Sequence, residues 1–419
     1  MSFEEVYDRA LRRALRGEKQ MKSEAERSKH LDCLLHPERY PAVWKLKECG
    51  CQEGQEQCAA ACLFRAIVRN DDGTVSIHPE LCCGCGACIA ACESGHLTAS
   101  RDVLPALDAI KRAEGPVFAL IAPAFHGQFS PDVTPGRLRA AFRQLGFTGM
   151  VEVALFADIL TLKEALEFDR HIKTESDFQL TSCCCPVWIS MIRKQYSELL
   201  EHVPGAVSPM IAAGRTVKHL HPDALTIFIG PCIAKKTEAR EPDLAGAVDY
   251  VLTFQEINDV FQAANIRPGE LEEDARDHSS RAGRIYARTG GVSEAVRSTV
   301  AHLRPDHPIQ VRAVQADGAA ACRTLIESIR TGDIRANFYE GMGCSGGCVG
   351  GPKRLVDVEQ GRQNVEGYGD TACYETPLEN PYVPELLRRL GFSDVDDFLE
   401  RSHIFERHLR GENKVPENG

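Results

Sequence analysis

The chain has 419 residues, 43% hydrophobic and 26% charged, which suits a globular protein of two or three domains. Its formal net charge of −11 argues against nucleic acid as a partner, because phosphate binding needs clustered Lys and Arg. The longest apolar run, 117–125, is far short of the roughly 18 residues of a membrane-spanning helix. The amphipathic start has no apolar signal core, so a cytoplasmic protein with no membrane span is expected.

Residues 1–48 read as a helical leader that ends in a Pro-punctuated stretch, 36–41. Cys33, alone there, reads as a small packing thiol. Residues 49–100 are a compact cysteine-rich module. Eighteen cysteines in a reducing compartment argue against a disulfide framework, and their spacings favour iron–sulfur ligation. Cys82-x2-Cys85-x2-Cys88-x3-Cys92 has the bacterial ferredoxin spacing, in which three thiolates take one cubane and the fourth serves another. The other half, Cys49-x-Cys51-x6-Cys58-x3-Cys62, is less regular. The expected assignment places Cys49, Cys51, Cys58 and Cys92 on one 4Fe–4S cluster and Cys62, Cys82, Cys85 and Cys88 on a second. The rival is zinc, which more often uses paired CxxC or Cys/His groups. Cys83 is spare and reads as structural; Glu93 stands where ferredoxins usually have proline. An α+β module of this type is an electron wire between a redox centre and a partner protein.

From about residue 115 the pattern changes. A buried strand is expected over 117–125 and an amphipathic helix from Pro135 to Leu145. Further strand candidates at 149–155, 225–230 and 247–253 alternate with helical stretches, which indicates an α/β domain with largely parallel sheets. The charged run 266–284 reads as a solvated connection. Beyond 353, helices are expected at 383–390 and 394–409, then a frayed polar end, GENKVPENG.

Three separated cysteine loops lie in this domain: Thr181-Ser182-Cys183-Cys184-Cys185-Pro186, Gly230-Pro231-Cys232-Ile233-Ala234-Lys235, and Gly341-Met342-Gly343-Cys344-Ser345-Gly346-Gly347-Cys348. Neighbours along an extended segment point to opposite sides, so three adjacent cysteines have different jobs. Loops at strand ends are where α/β folds place their ligand sites.

In this order, the three loops resemble the H-cluster loops of the iron-only (FeFe) hydrogenase family. Ile121-Ala122-Pro123-Ala124, 249–253 (DYVLT) and Thr289-Gly290-Gly291-Val292 are similar to it as well. The resemblance covers about 49–390. It implies a two-lobed α/β H-cluster domain over 115–390, behind a two-cluster ferredoxin-like domain, with a helical tail over 391–419. It further implies an H-cluster, that is, a 4Fe–4S cubane joined to a di-iron unit with carbon monoxide, cyanide and dithiolate ligands. Cys185, Cys232, Cys344 and Cys348 would hold the cubane, with Cys348 bridging to the di-iron unit. Lys235 would hold a cyanide, and Pro123, Ala124, Pro231 and Met342 would line the pocket. Cys184 would exchange the proton, with Glu167 as the outer relay carboxylate. Implied partners are hydrogen and protons, the di-iron maturases, and a ferredoxin or another redox or signalling protein.

The chain also departs from the family pattern. Cys183 is an extra cysteine, and the third loop has one glycine fewer before its proline. Gly230 replaces a methionine, which is expected to open space beside the di-iron unit. Lys163 falls where a relay glutamate is usual, and Pro204, which has no hydroxyl, falls where a relay serine is usual. An ammonium with a reference pKa of about 10.4 is a poor shuttle at neutral pH. These departures resemble the divergent branch read as sensory, here with no PAS domain after 353. Three functions follow, in order of preference: a slow, reversible hydrogenase acting as a hydrogen or redox sensor; a catalytic subunit of a larger electron-transfer complex with a modified proton path; and an iron–sulfur electron-transfer protein that never receives the di-iron unit. His126 reads as a solvated or hydrogen-bonded loop histidine, and Cys322 and Cys373 as packing cysteines.

Overall fold

The computed structural model describes residues 2–18, 29–49, 51, 57–181, 184–400, 402–407 and 409. Cys183 and the GENKVPENG end lie outside the described residues.

Four short strands build the cysteine-rich module: β1 (Val43–Lys45), β2 (Ile67–Arg69), β3 (Val75–Ile77) and β4 (Leu97–Ala99). β1 pairs antiparallel with β4, and β2 with β3. The module's sheet therefore begins inside the stretch read as leader. The leader's helix Phe3–Leu15 starts at a Ser2–Glu5 capping box and buries Phe3, Tyr7, Ala10 and Leu11. With helix Lys29–Leu35 it packs against helix Val103–Arg112, which joins the module to the main domain.

The main domain contributes β5 (Val117–Ile121), β6 (Gly149–Glu152), β7 (Gln179–Leu180), β8 (Leu225–Gly230), β9 (Tyr250–Thr253), β10 (Ala313–Asp317) and β11 (Phe338–Met342). They form two wholly parallel sheets, ordered β6-β5-β8-β9 and β10-β11-β7. Helices cover these strands, so β5 and β8 are apolar along nearly their whole length, as expected for strands buried on both faces. β5 stops at Ile121 rather than reaching Phe125, because Pro123 has no N–H for the ladder; Pro123–Phe125 winds into a 3₁₀ turn. The strand expected over 149–155 likewise ends at Glu152, where helix Ala154–His171 begins. The expected helix from Pro135 runs Pro135–Gln144, capped by the Thr134 side chain.

Two expectations need correction. The run 266–284 is not solvated throughout: Ser279, Ser280, Ala282 and Arg284 are buried. The cause is a polar network, in which Asp158 accepts hydrogen bonds from the Ser280 backbone N–H (2.7 Å) and from Asn380 (3.0 Å). Arg284 bonds the Tyr368 carbonyl at 2.9 Å. In the tail, only Val395–Glu400 of the helix expected over 394–409 forms. The next residues instead pair with 205–207, through Val207 N–H to Phe405 O (3.0 Å) and Arg407 N–H to Gly205 O (2.7 Å).

A buried ion cluster fastens helix Val103–Arg112 to the four-stranded sheet. Lys236 Nζ lies 3.2 Å from Glu256 and 3.5 Å from Asp102, and bonds Val251 O at 2.5 Å. Removing one partner of a buried pair leaves uncompensated charge, which costs about 3–5 kcal/mol. Lys236→Ala is therefore expected to lower the unfolding midpoint by many degrees in a thermal melt. An unchanged midpoint would contradict this role.

Candidate metal centre

Each of the three cysteine loops leaves the carboxyl end of a parallel strand. Cys185 caps helix Pro186–Gln195 just beyond β7, with Pro186 at the first helical position. Cys232 follows β8, and Cys344 and Cys348 follow β11. β8 belongs to one sheet and β7 and β11 to the other, so the four thiols come from both lobes.

These thiols are close enough to raise one another's pKa. Burial, then repulsion from Cys185, pushes Cys232 up to about 11. Burial, then Cys232 and Cys185, pushes Cys348 up to about 12. The same causes, with Cys348 added, push Cys344 higher still. Cys232, Cys344 and Cys348 therefore stay protonated when empty, and a metal held there would displace those protons. Gly343 N–H donates to Cys185 Sγ at 3.2 Å. That approach requires glycine, since a Cβ at 343 would sit 2.5 Å from the Val187 Cβ.

The eight module cysteines are electrostatic neighbours of one another. Burial, then Cys92, Cys49 and Cys51 raise Cys58; Cys51 and Cys92 also raise Cys49. Burial, then Cys85, Cys82 and Cys62 push Cys88 up to about 12, and Cys62, Cys82, Cys85 and Cys88 line one cavity. The spare Cys83 is buried and hydrogen-bonded to Cys85, which holds the Cys85 thiol below its usual range.

One feature was not legible in the sequence: the Cys82–Cys88 loop is docked on the Cys232 loop. Gly84 and Gly86 have φ of +76° and +80°, and a Cβ on Gly84 would lie 2.9 Å from Thr237 Oγ1 and 3.2 Å from Ala234 Cα. A Cβ on Gly86 would lie 3.1 Å from Ile233 Cδ1. The Cys85 thiol also raises Cys344, so these two thiol groups are electrostatic neighbours.

Around the four-thiol group, Lys235 is 6% exposed with its Nζ 2.7 Å from Glu238 Oε2. The two form a buried ion pair on the same short helix. Burial pulls the Lys235 pKa down, but Glu238, Cys232 and Cys348 outweigh it and keep the ammonium charged. Ala122 N–H extends the ladder to Ile229 O at 2.9 Å, which sets Pro123 and the buried Ala124 beside Gly230 and Pro231. Met342 is buried at the end of β11. Gly230 leaves no open space, contrary to expectation: its missing Cβ would lie 2.7 Å from the Phe228 ring and 3.0 Å from Ala122 Cβ. Residues 228 and 230 share one face of the strand, so the ring fills the space a larger residue at 230 would need.

Along helix Ala154–His171, Lys163 is 1% exposed and bonds Glu167 Oε1 at 2.7 Å and Glu406 Oε1 at 3.1 Å. Glu406 comes from the C-terminal segment paired with 205–207, next to Pro204. Burial raises the Glu167 pKa, opposed by Lys163. Glu167 and Pro204 line a cavity of about 470 Å³ with His171 and His202. Cys184 is buried just ahead of Cys185.

His126 is half-buried and hydrogen-bonded with the Asn364 backbone, in keeping with a hydrogen-bonded loop histidine. It stacks on Tyr368 (4.7 Å, 4°), and burial, then Arg284, lowers its pKa. Cys33 and Cys322 pack as expected, whereas Cys373 is exposed. Glu340 on β11 is a further buried carboxylate; it accepts Gly290 N–H (2.8 Å) and Ser293 N–H (2.8 Å) at the start of helix Gly291–Leu303. The 289–292 motif thus anchors the strand that delivers the third loop.

Thiols gathered from three strand-end loops, beside a two-group cysteine module, define an iron–sulfur protein. Residues 115–352 match the family described as iron only hydrogenase large subunit, C-terminal domain, and the chain belongs to the iron-only hydrogenase family. It is 27% identical over 426 residues to the NADP-reducing hydrogenase subunit HndD of Solidesulfovibrio fructosivorans, covering 86% of this chain and 71% of that one. It is also 25% identical over 374 residues to the cytosolic iron-sulfur assembly component 3 of Bos taurus, covering 74% and 79%. A variant of apo [FeFe]-hydrogenase HydA1 from Chlamydomonas reinhardtii shares the fold, with a TM-score of 0.62 and 23% identity over 74% of this chain and 98% of that one.

Two glycine substitutions are expected to act in opposite directions. Gly343→Ala forces Val187 aside and is expected to cost about 1–3 kcal/mol by overpacking. Gly367→Ala, in a helix where nothing lies within 4 Å, is expected to stabilise by about 0.5–1 kcal/mol. Denaturant unfolding of both variants without clusters checks the pair; shifts of the same sign would contradict it.

Proposed function

We propose that this chain is a divergent iron-only hydrogenase that oxidises hydrogen and reduces protons slowly and reversibly, in a hydrogen- or redox-sensing role. The observation that supports it best is Lys235: a buried ammonium, paired with Glu238 at 2.7 Å, that stands beside Cys232 and Cys348. A cubane alone would not need that cation, whereas an anionic ligand next to the cubane would. Cys185, Cys232, Cys344 and Cys348 would hold the H-cluster, with Lys235 on a cyanide and Pro123, Ala124, Pro231 and Met342 as its walls. Bound there, the group supplies the cleavage and formation of hydrogen.

The chain's own residues supply proton and electron access. Cys184 would hold a proton at Sγ. The outer end of the relay is Glu167, on the solvent-open cavity. Between them, Lys163 is tied to two carboxylates, so its proton is held in an ion triad. That triad supports slow turnover. Electrons would pass through two 4Fe–4S clusters, on Cys49, Cys51, Cys58 and Cys92 and on Cys62, Cys82, Cys85 and Cys88. The second of these stands next to the H-cluster thiols. A ferredoxin or a signalling protein would exchange electrons with the module, and dedicated maturases would deliver the di-iron unit.

A second reading, an iron–sulfur protein without the di-iron unit, is favoured by the likeness to the bovine assembly component. Hydrogen turnover separates the two. The matured protein is expected to show weak activity in both directions, and Lys163→Glu combined with Glu406→Lys, which keeps a cation in the triad, to raise it about tenfold or more, since positioned acid–base groups contribute about 10²–10⁴. No activity in either protein would favour the second reading, and fast wild-type turnover would refute the sensor.

Cluster assignment has its own test. Cys62→Ala is expected to remove the cluster of Cys82, Cys85 and Cys88, and Cys92→Ala that of Cys49, Cys51 and Cys58, each with a loss of about four irons. If that crossing were wrong, the electron paramagnetic resonance signal left in Cys62→Ala would match the one left in Cys58→Ala rather than the one left in Cys85→Ala.

A further inference from the structure

A second cavity, of about 570 Å³, lies away from every cysteine loop. Edge strand β6, the start of helix Ala154–His171, helix Pro209–Leu220 and helix Tyr382–Arg389 enclose it. That volume is in the range of small-molecule sites. Its charge is one-sided, with Arg139, Arg143, Arg276 and Arg389 on the wall against Glu152 and Glu385. Both carboxylates are engaged: Glu152 by Arg139 (3.3 Å) and the Tyr368 hydroxyl (2.7 Å), and Glu385 by Arg388 (2.9 Å). Arg143 and Arg276 share the single carboxylate of Asp274.

Two polar atoms on the wall are buried without a partner. Arg139 is 3% exposed with an unbonded Nε, and Thr216 is 1% exposed with an unbonded hydroxyl. Both atoms have almost no accessible surface of their own, so the charge a ligand would meet on the wall comes from Arg143, Arg276 and Arg389. The local field is positive as well: burial, then Arg139 and Arg276, lower the pKa of His278 on the same wall. Flat rings flank the space, with Phe118 and His221 at 5.5 Å on one side and His278 and Tyr382 at 4.6 Å on another.

We propose that this cavity binds a small organic anion with a flat ring, an aryl or heteroaryl phosphate of about nucleoside-monophosphate size. Arginines bind a phosphate with fixed forks, and the rings and apolar wall take the flat body. Leu155 and Phe156 on the wall begin the helix that also bears Lys163 and Glu167, so a ligand here touches the element of the proton relay. The proposal does not depend on the hydrogenase reading.

Calorimetric titration of the full chain with its clusters tests it, using AMP, phenyl phosphate, adenosine and inorganic phosphate. AMP or phenyl phosphate is expected to bind at least tenfold more tightly than adenosine or inorganic phosphate. The pair Arg143→Ala and Arg389→Ala, both at exposed arginines, is expected to weaken that binding at least tenfold with an unchanged melting point. Arg388→Ala, off the wall, should not change it. AMP alone binding identifies a nucleotide, and equal binding of the two identifies any aryl phosphate; both support the site. No binding at millimolar concentration, adenosine equal to AMP, or indifference to the arginine pair overturns it.

Discussion

Four thiols delivered by loops from two separate parallel sheets lie within electrostatic reach of one another, and they cannot ionise together without a counter-charge. Burial and mutual repulsion raise Cys232, Cys344 and Cys348. The nearby cation, Lys235, is already engaged electrostatically by Glu238. In the proposed reading iron would supply the missing positive charge, and a cluster held this way would staple the lobes as well as do chemistry. Much of the surrounding structure serves this meeting point. Glu340 fixes the end of β11, Gly343 lets that loop approach Cys185, and the continued β5–β8 ladder brings Pro123 and Ala124 alongside.

The two supply lines to this point differ. On the electron side, the Cys82–Cys88 loop lies directly against the Cys232 loop, with the small residues Gly84 and Gly86 at the contact. On the proton side, Lys163 is tied down by Glu167 and by Glu406, from 243 residues further along the chain. An open electron route with a restrained proton route suits a protein that registers hydrogen or redox state more than one that turns over rapidly. The third loop and Lys235 argue for a di-iron unit; the ion triad argues for slowness.

Local chemistry was legible in the sequence and long-range pairing was not. β5 and β8 were visible because strands buried on both faces become continuous apolar runs. The thiol groups were visible because ligand spacing is a local property. β7 has only two residues, and β11 holds a buried glutamate, so neither shows a strand period. The burial of Arg284 was hidden because its partners come from 277, 279, 368 and 371. Phe228 filling the space beside Gly230 depends on a rotamer, which composition does not reveal. Glu406 falls in a tail that reads as helix, yet it pairs as an extended segment because Gly205 and Val207 offer their backbone groups.

The most direct measurement is the infrared spectrum of the protein after maturation with active di-iron maturases. Bands of metal-bound carbon monoxide and cyanide are expected, with the cyanide bands shifted in Lys235→Met because the ammonium no longer meets that ligand. Their absence from fully matured wild-type protein that still holds its cubanes would contradict the account.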